Sequence, residues 1–517
     1  MLAVLRAGRN VLRLIEIAVI LARYDALFPL ERVVGLRFTV RMLGIVRRRD
    51  AALTRLRPGQ RLAAALQAMG PSFIKLGQAL STRADLIGEA VATDLSSLQD
   101  RLPPFPAAAA RAMIEAELGR PVEFLYRSFD DTPVAAASIA QVHLAVTDEG
   151  EEVAVKILRP GIAAAFARDL DLFLWLAHII ERTQPALRRL KPVAVVDTLA
   201  ETVRQEMDLR FEAAGASELR ENFADDPTFR VPRVDWLRTS AKVLTLERVS
   251  GIRVDDRTAL VTAGHDIRVI LANAASAFFN QVFRDGFFHA DLHPGNLFIE
   301  AHGAIVVVDF GIMGRLDRKT RYYLADMLLA FLQGDYRRVA EVHFEAGYVP
   351  ARQSLDSFAQ ACRSIGEPIL GRPLHEISLG RLLAQLFQVT EQFQMETQPQ
   401  LLLLQKTMVL AEGVGRLLDP SVNMWALARP HIEAWMRDNR GPEARLRDMV
   451  ADTMSALERL PALMSDIQRL GGAIAEGGLP LHPDTVAEIA RRGAIELLGL
   501  PLWIIALALT AIAIALW

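Results

Sequence analysis

Phe288-His289-Ala290-Asp291-Leu292-His293-Pro294-Gly295-Asn296 is followed, after the apolar run Ile305 to Val308, by Asp309-Phe310-Gly311. The stretch sets a carboxylate, an amide five residues on, and a second carboxylate behind a strand. Hard oxygen groups at this spacing are those with which phosphoryl-transfer sites of the protein-kinase type hold a nucleotide and its metal. Asp291 stands where a carboxylate orients an attacking hydroxyl, Asn296 where an amide oxygen meets a metal, and Asp309 where a carboxylate binds magnesium. ATP and Mg2+ are the expected ligands. A rival reading, a transition-metal site built from His289, Asp291 and His293, leaves Asn296 and Asp309 without roles. His289 and His293 are read instead as residues that stabilise the loop.

Working outward, Val153-Ala154-Val155-Lys156 places a lysine on a strand whose alternate residues are apolar. Such a lysine reaches the α- and β-phosphates of a nucleotide if a carboxylate steadies its ammonium; alone, it reads equally as a snorkelling surface residue. Val142 to Val146 and Val153 to Leu158 flank Asp148-Glu149-Gly150-Glu151 and predict an antiparallel hairpin. Ahead of it, Ala135-Ala136-Ala137-Ser138-Ile139-Ala140-Gln141 stands where a glycine-rich phosphate loop is expected, and alanine does not reach positive φ cheaply. Helices are expected over Ala63 to Leu98, Ala107 to Leu118, Arg168 to Arg182, Val195 to Asn222 and Ile267 to Phe283, and short strands over Val231 to Val234, Val243 to Val249 and Ile305 to Val308. Hairpin strands, then a helix, then mostly helices around a short active-site strand give an α+β, two-lobed kinase-like fold.

Composition sets the wider bounds. The chain has 517 residues and a net charge of −2, which gives no sign of a nucleic-acid binder. From Met1 to Arg61 there are 13 Arg, no Lys and 4 acidic residues, a balance of 13 − 4 = +9 that suits anionic membrane surfaces or a solvated basic arm. Val11 to Leu21 is too short and too charged to span a bilayer and reads as an interfacial or packed helix. Cys362 is the only cysteine, so intramolecular disulfides are excluded. Leu497 to Trp517 carries no charge and is long enough to span as a helix, with Arg491 and Arg492 just before it. A C-terminal transmembrane helix with the rest of the protein on the cytoplasmic side is expected; a buried hydrophobic helix is the alternative.

Two segments fall outside an ordinary kinase pattern. Lys75-Leu76-Gly77-Gln78 lies in a predicted helix with Lys75 and Gln78 on one face. Gln205-Glu206-Met207-Asp208, with Glu212 beyond, lies on the helix after the strand lysine, where Asp208 and Glu212 share a face. Each alone reads as a solvated helix surface.

Taken together, the residues resemble the UbiB family of atypical kinase-like proteins of ubiquinone biosynthesis. Gly70 to Gln78 with Ser81-Thr82-Arg83 is similar to the family's Lys-x-Gly-Gln extension, Leu98-Gln99-Asp100 and Pro103-Pro104-Phe105 continue it, Ala135 to His143 resembles its alanine-rich loop, and Glu206-x-Asp208 its Glu-x-Asp motif. The resemblance implies that Glu212 pairs with Lys156, that Lys75 folds over the site to meet Glu206 and Asp208, and that Glu247 to Val249 forms the hinge that meets adenine. It further implies an ATPase with little protein-kinase activity at the bacterial inner membrane, associated with anionic lipids, prenylated phenolic intermediates and quinone-biosynthesis enzymes, and compatible with a homodimer. A small-molecule or lipid kinase and a nucleotide-binding scaffold without obligatory turnover remain alternatives. The expected organisation is a basic helical region (1–62), a helical extension (63–125), an N-lobe (126–250), a C-lobe (251–440), a helical segment (441–494) and a transmembrane tail (495–517).

Overall fold

The alternation around Lys156 becomes the centre of a sheet. In the computed structural model, which describes residues 2–27, 56–81, 87–96, 98, 103–183, 192–368, 388–390, 392–395, 398–422 and 424–440, helices α1 (Leu2–Arg23), α2 (Pro58–Met69), α3 (Pro71–Ser81) and α4 (Glu89–Ser96) come first. Helix α5 (Ala107–Leu118) and the short α6 (Val122–Leu125) lead into β1 (Tyr126–Phe129), β2 (Ala135–Ala136), β3 (Ala140–Thr147) and β4 (Glu152–Leu158). Then come α7 (Ile162–Thr183), α8 (Pro192–Glu206), α9 (Leu209–Asn222), β5 (Phe229–Arg230) and β6 (Val243–Glu247). Strand order β1-β3-β4-β6, with β2 on β3, makes an antiparallel sheet in which Lys156 lies opposite Val142 on one side and Leu244 on the other. Val153, Val155 and Ile157 point away from it into a core with Ala110 and Ile114 of α5, Val122, Tyr126 and Val243. Burying each such aliphatic side chain stabilises the lobe by about 1.5–3 kcal/mol, and strand alternation then turns Lys156 to the opposite face.

The second lobe starts at β7 (Ile252–Arg253), α10 (Arg257–Thr262) and α11 (Ile267–Phe279). Strands β8 (Phe287–His289), β9 (Leu297–Ile299), β10 (Ile305–Val307) and β11 (Met313–Arg315) carry the loop between them, and α12 (Arg318–Leu332), α13 (Tyr336–Glu345), α14 (Leu355–Gly366), α15 (Pro399–Leu418) and α16 (Met424–Arg440) follow. One sheet has the order β5-β10-β9-β7 and a small ribbon pairs β11 with β8. Asp291 follows β8 and Asp309 follows β10, so two short pairings fix both carboxylate segments.

Several expected elements are divided by local chemistry. The long helix over Val195 to Asn222 is two helices, because Asp208 is the N-cap of α9 and its carboxylate accepts from the Arg210 backbone N–H at 3.1 Å. The periodicity from Ala63 to Leu98 is cut at Gly70, whose φ of 104° closes α2, with Pro71 opening α3. The helix expected to run to Phe283 ends at Phe279 and widens into a π-helical stretch, Asn280–Asp285. Of the expected strand from Val231 to Val234, only Val234 bridges, to Leu246, while the strand itself is Phe229–Arg230.

The N-terminal helix is packed. Arg13 on α1 bonds Asp169 of α7 at 3.1 Å and lies 5.5 Å over the Phe73 ring of α3. The described residues up to Trp435 form one compact unit. Among the described residues no helix is long and apolar enough to cross a membrane; the expected segments 441–494 and 495–517 lie outside the described residues.

Candidate phosphoryl-transfer site

Lys156 is the hub. Its Nζ donates to both oxygens of Glu212, at 2.8 and 2.9 Å, and to Asp309 Oδ1 at 2.9 Å. Glu212 reaches it from the first turn of α9, which approaches the Asp309-Phe310-Gly311 segment closely because residue 215 is glycine: a Cβ there would stand 3.1 Å from Met313 Cγ. Burial favours neutral Lys156, but Asp309 and Glu212 outweigh it and hold the ammonium above its ordinary pKa. Burial pushes Glu212 up to about 7, against the pull of Lys156 and with the help of the Asp309 charge. Asp309 is driven well below the usual carboxylate range by Lys156, which overcomes the opposing desolvation. Asp309 also holds a positive φ of 66°, a conformation that is costly for a non-glycine residue and is retained where the surroundings over-determine it.

His289 ties the two carboxylate segments together. It is fully buried, its Nδ1 accepts from the Asp291 backbone N–H at 3.1 Å, and its Nε2–H donates to the Asp309 carbonyl at 2.9 Å. That pairing needs a neutral ring, and burial lowers its pKa accordingly. His293 caps the turn at Pro294–Asn296 by accepting from the Gly295 N–H. Among the described residues no group of three or more His, Cys, Asp or Glu side chains is arranged to hold a metal. The Asn296 amide NH2 donates to the Asp291 carbonyl at 3.1 Å, which leaves its oxygen as the group that fits a hard cation, beside a carboxylate kept ionised at Asp309.

The alanine-rich loop runs through β2 into β3. Ala137 N–H donates to the Ala140 carbonyl at 2.8 Å and Arg159 donates to the Ala137 carbonyl at 3.2 Å. The Ser138 hydroxyl is buried without a hydrogen-bond partner among the described residues, an orphaned donor in the loop expected to cover phosphates. Gln141 and His143 explain the end of this motif. Gln141 accepts from the Phe105 N–H at 2.9 Å, and its amide meets His143, whose other nitrogen lies 2.7 Å from the Asp130 carbonyl. At the expected hinge, Glu247 is held by Arg230 at 2.8 Å and by the Arg233 N–H at 3.1 Å, and Val249 is half-buried. A side chain at Gly251 would stand 2.8 Å from the Ile299 carbonyl oxygen, so the chain crosses β9 closely there. A cavity of about 940 Å³ opens beside Glu247, but none of Lys156, Asp291, Asn296 or Asp309 lines it.

The structure brings Lys75 to Glu206, 3.1 Å from Oε1 and 2.9 Å from Oε2. The Lys75 charge also contributes to lowering the Asp309 pKa. Asp208, expected beside Lys75, instead caps α9 and pairs with the Arg210 guanidinium at 2.6 Å. Gln78 is half-buried on α3. One contact was not expected: Lys406 of α15 donates to Asp291 Oδ1 at 3.1 Å.

A two-lobed α+β fold with a strand lysine, a helix carboxylate and paired aspartate segments defines an atypical kinase-like protein. A family model described as the ABC1 atypical kinase-like domain matches residues 97–343, and one described as the UbiB helical domain matches residues 362–423. The probable protein kinase UbiB of Marinobacter nauticus is 45% identical over 413 residues, covering 79% of this chain and 76% of that protein. The protein of the same name from Pseudomonas putida strain W619 is 41% identical over 497 residues, covering 94% and 91%. A solved Rv3197–erythromycin complex from Mycobacterium tuberculosis aligns with a TM-score of 0.48 at 27% identity, over 68% of this chain and 90% of that one. The chain belongs to the UbiB family.

Proposed function

We propose that this protein is a membrane-associated, magnesium-dependent ATPase of the kinase-like class that supports ubiquinone biosynthesis, with hydrolysis coupled to the handling of hydrophobic quinone precursors. The observation that carries the catalytic half is the Lys156–Glu212–Asp309 cluster. Glu212 fixes the Lys156 ammonium for the α- and β-phosphates. Asn296 and Asp309 would hold Mg2+, which supplies neutralising charge to the phosphate oxygens when bound. Asp291 orients the attacking water or lipid hydroxyl. Its Oδ1 is engaged by Lys406, so Oδ2 is the oxygen that accepts the hydrogen bond of the nucleophile. The Lys75–Glu206 ion pair supports hydrolysis over transfer to a peptide if, as the family resemblance implies, Lys75 folds over the site.

The membrane half rests on residues 1–61, with their 13 arginines, and on the apolar run after Arg492. Anionic lipids, prenylated phenolic intermediates, biosynthetic enzymes and a second copy of the chain are the partners proposed. The test is quinone content in bacterial cells whose only copy carries Asp309→Asn. Quinone deficiency is expected. Normal quinone levels would sink the catalytic version, and normal levels with Asp291→Asn that still binds nucleotide would favour a scaffold.

A further inference from the structure

We propose that the helical domain completes the phosphoryl-transfer site by supplying Lys406 as a positioning residue for Asp291. The inference rests on Asp291 being the group that orients the nucleophile. From Asp291 to Asn296 the loop contains no lysine or arginine, so its carboxylate has no strong cation of its own. His293 Nε2 stands 3.9 Å from Asp291 Oδ2, beyond hydrogen-bond range, and its Nδ1 is occupied by the Gly295 N–H. His289 faces the Asp291 backbone rather than its carboxylate. Lys406 Nζ, 3.1 Å from Oδ1, is the cation in hydrogen-bond contact with this carboxylate among the described residues.

That ammonium comes from beyond the ABC1 match, which ends at residue 343, and from within the helical-domain match, residues 362–423. Its helix is held firmly. Leu404, Thr407, Val414 and Leu418 are buried, the Thr407 hydroxyl bonds back to the Leu403 carbonyl at 2.9 Å, and Arg257 of α10 donates to the Leu418 carbonyl at 2.8 Å. Helix α15 also packs on β11, which pairs with β8 and so with the strand that delivers Asp291. The pair keeps 39% of the Lys406 side chain and 28% of the Asp291 side chain open, so the carboxylate is not sealed off from a nucleophile. Docking of the helical domain thereby becomes a condition for a fixed carboxylate.

The test uses the full chain on anionic vesicles with Mg·ATP, comparing wild type, Lys406→Met and Lys406→Arg. Lys406→Met should lower kcat by about 10- to 100-fold while KM for ATP stays within about threefold, since the nucleotide phosphates are held elsewhere. Lys406→Arg should recover a large part of the loss. An unchanged kcat in Lys406→Met, or a rise confined to KM, overturns the proposal. A second measurement is independent of turnover. In Asp291→Cys protein the pH dependence of thiol alkylation reads the charge at this position, because Cys362 is buried with its thiol pushed up to about 12. The charged groups facing the new thiol are Lys406 and, when protonated, His293. Adding Lys406→Met should raise the alkylation midpoint by about half a pH unit or more, and an unmoved midpoint overturns the contact. A moved midpoint in a protein whose wild type releases no phosphate supports the contact while refuting the hydrolysis reading.

Discussion

Lys156 sits between two carboxylates of opposite tendency. Asp309 is ionised by the lysine, whereas burial pushes Glu212 up to about 7 from its ordinary 4.5. A carboxyl whose folded pKa is raised binds its proton more tightly in the native state than in the unfolded one, so its ionisation costs stability as pH rises. The difference in unfolding free energy between wild type and Glu212→Gln should therefore fall as pH rises from 4.5 towards 7 and level off above it. Urea melts across that range measure it, and a difference independent of pH would contradict the assignment. At this level the sequence was largely readable. Asp291, Asn296 and Asp309 are close in the chain, so spacing singled them out, and His289 bridges the backbones of Asp291 and Asp309. Lys406 was not readable, because Gln400-Leu401-Leu402-Leu403-Leu404-Gln405-Lys406 reads as an apolar helix with a snorkelling lysine, and its contact with Asp291 spans 115 residues.

Elements were less legible at their ends than in their identity. The hairpin β3–β4 and helix α5 fall where apolar periodicity puts them, whereas α8 and α9 are divided by a cap that periodicity does not detect. Asp208 competes for the backbone N–H of Arg210, and a helix-compatible run becomes two helices with Glu206 and Glu212 on separate axes. The glycine of Lys75-x-Gly77-Gln78 has a packing reason visible only in three dimensions. A Cβ at residue 77 would stand 2.4 Å from Leu98 Cδ1 and 2.8 Å from Leu66 Cδ1, both in buried residues. Gly77→Ala should destabilise the protein by about 1–3 kcal/mol through overpacking, read as a lowered thermal midpoint. It should also shift α3 enough to weaken the Lys75–Glu206 contact. An unchanged midpoint would mean that α2 and α3 are less tightly packed than described.

The whole molecule joins a kinase-like pair of lobes to helices on both sides of it in sequence. Helix α3 places Lys75 on Glu206, and α15 places Lys406 on Asp291. Under the function proposed here, both flanking helices are parts of the site. Phosphate release from Mg·ATP on anionic vesicles, wild type against Asp309→Asn with nucleotide binding followed in parallel, tests this most directly. Turnover should be stimulated by the vesicles and fall by about 100-fold or more in the variant while ATP still binds. Equal release by the two proteins, or none by a wild type that binds ATP, would show that the Lys156–Glu212–Asp309 cluster does not hydrolyse it.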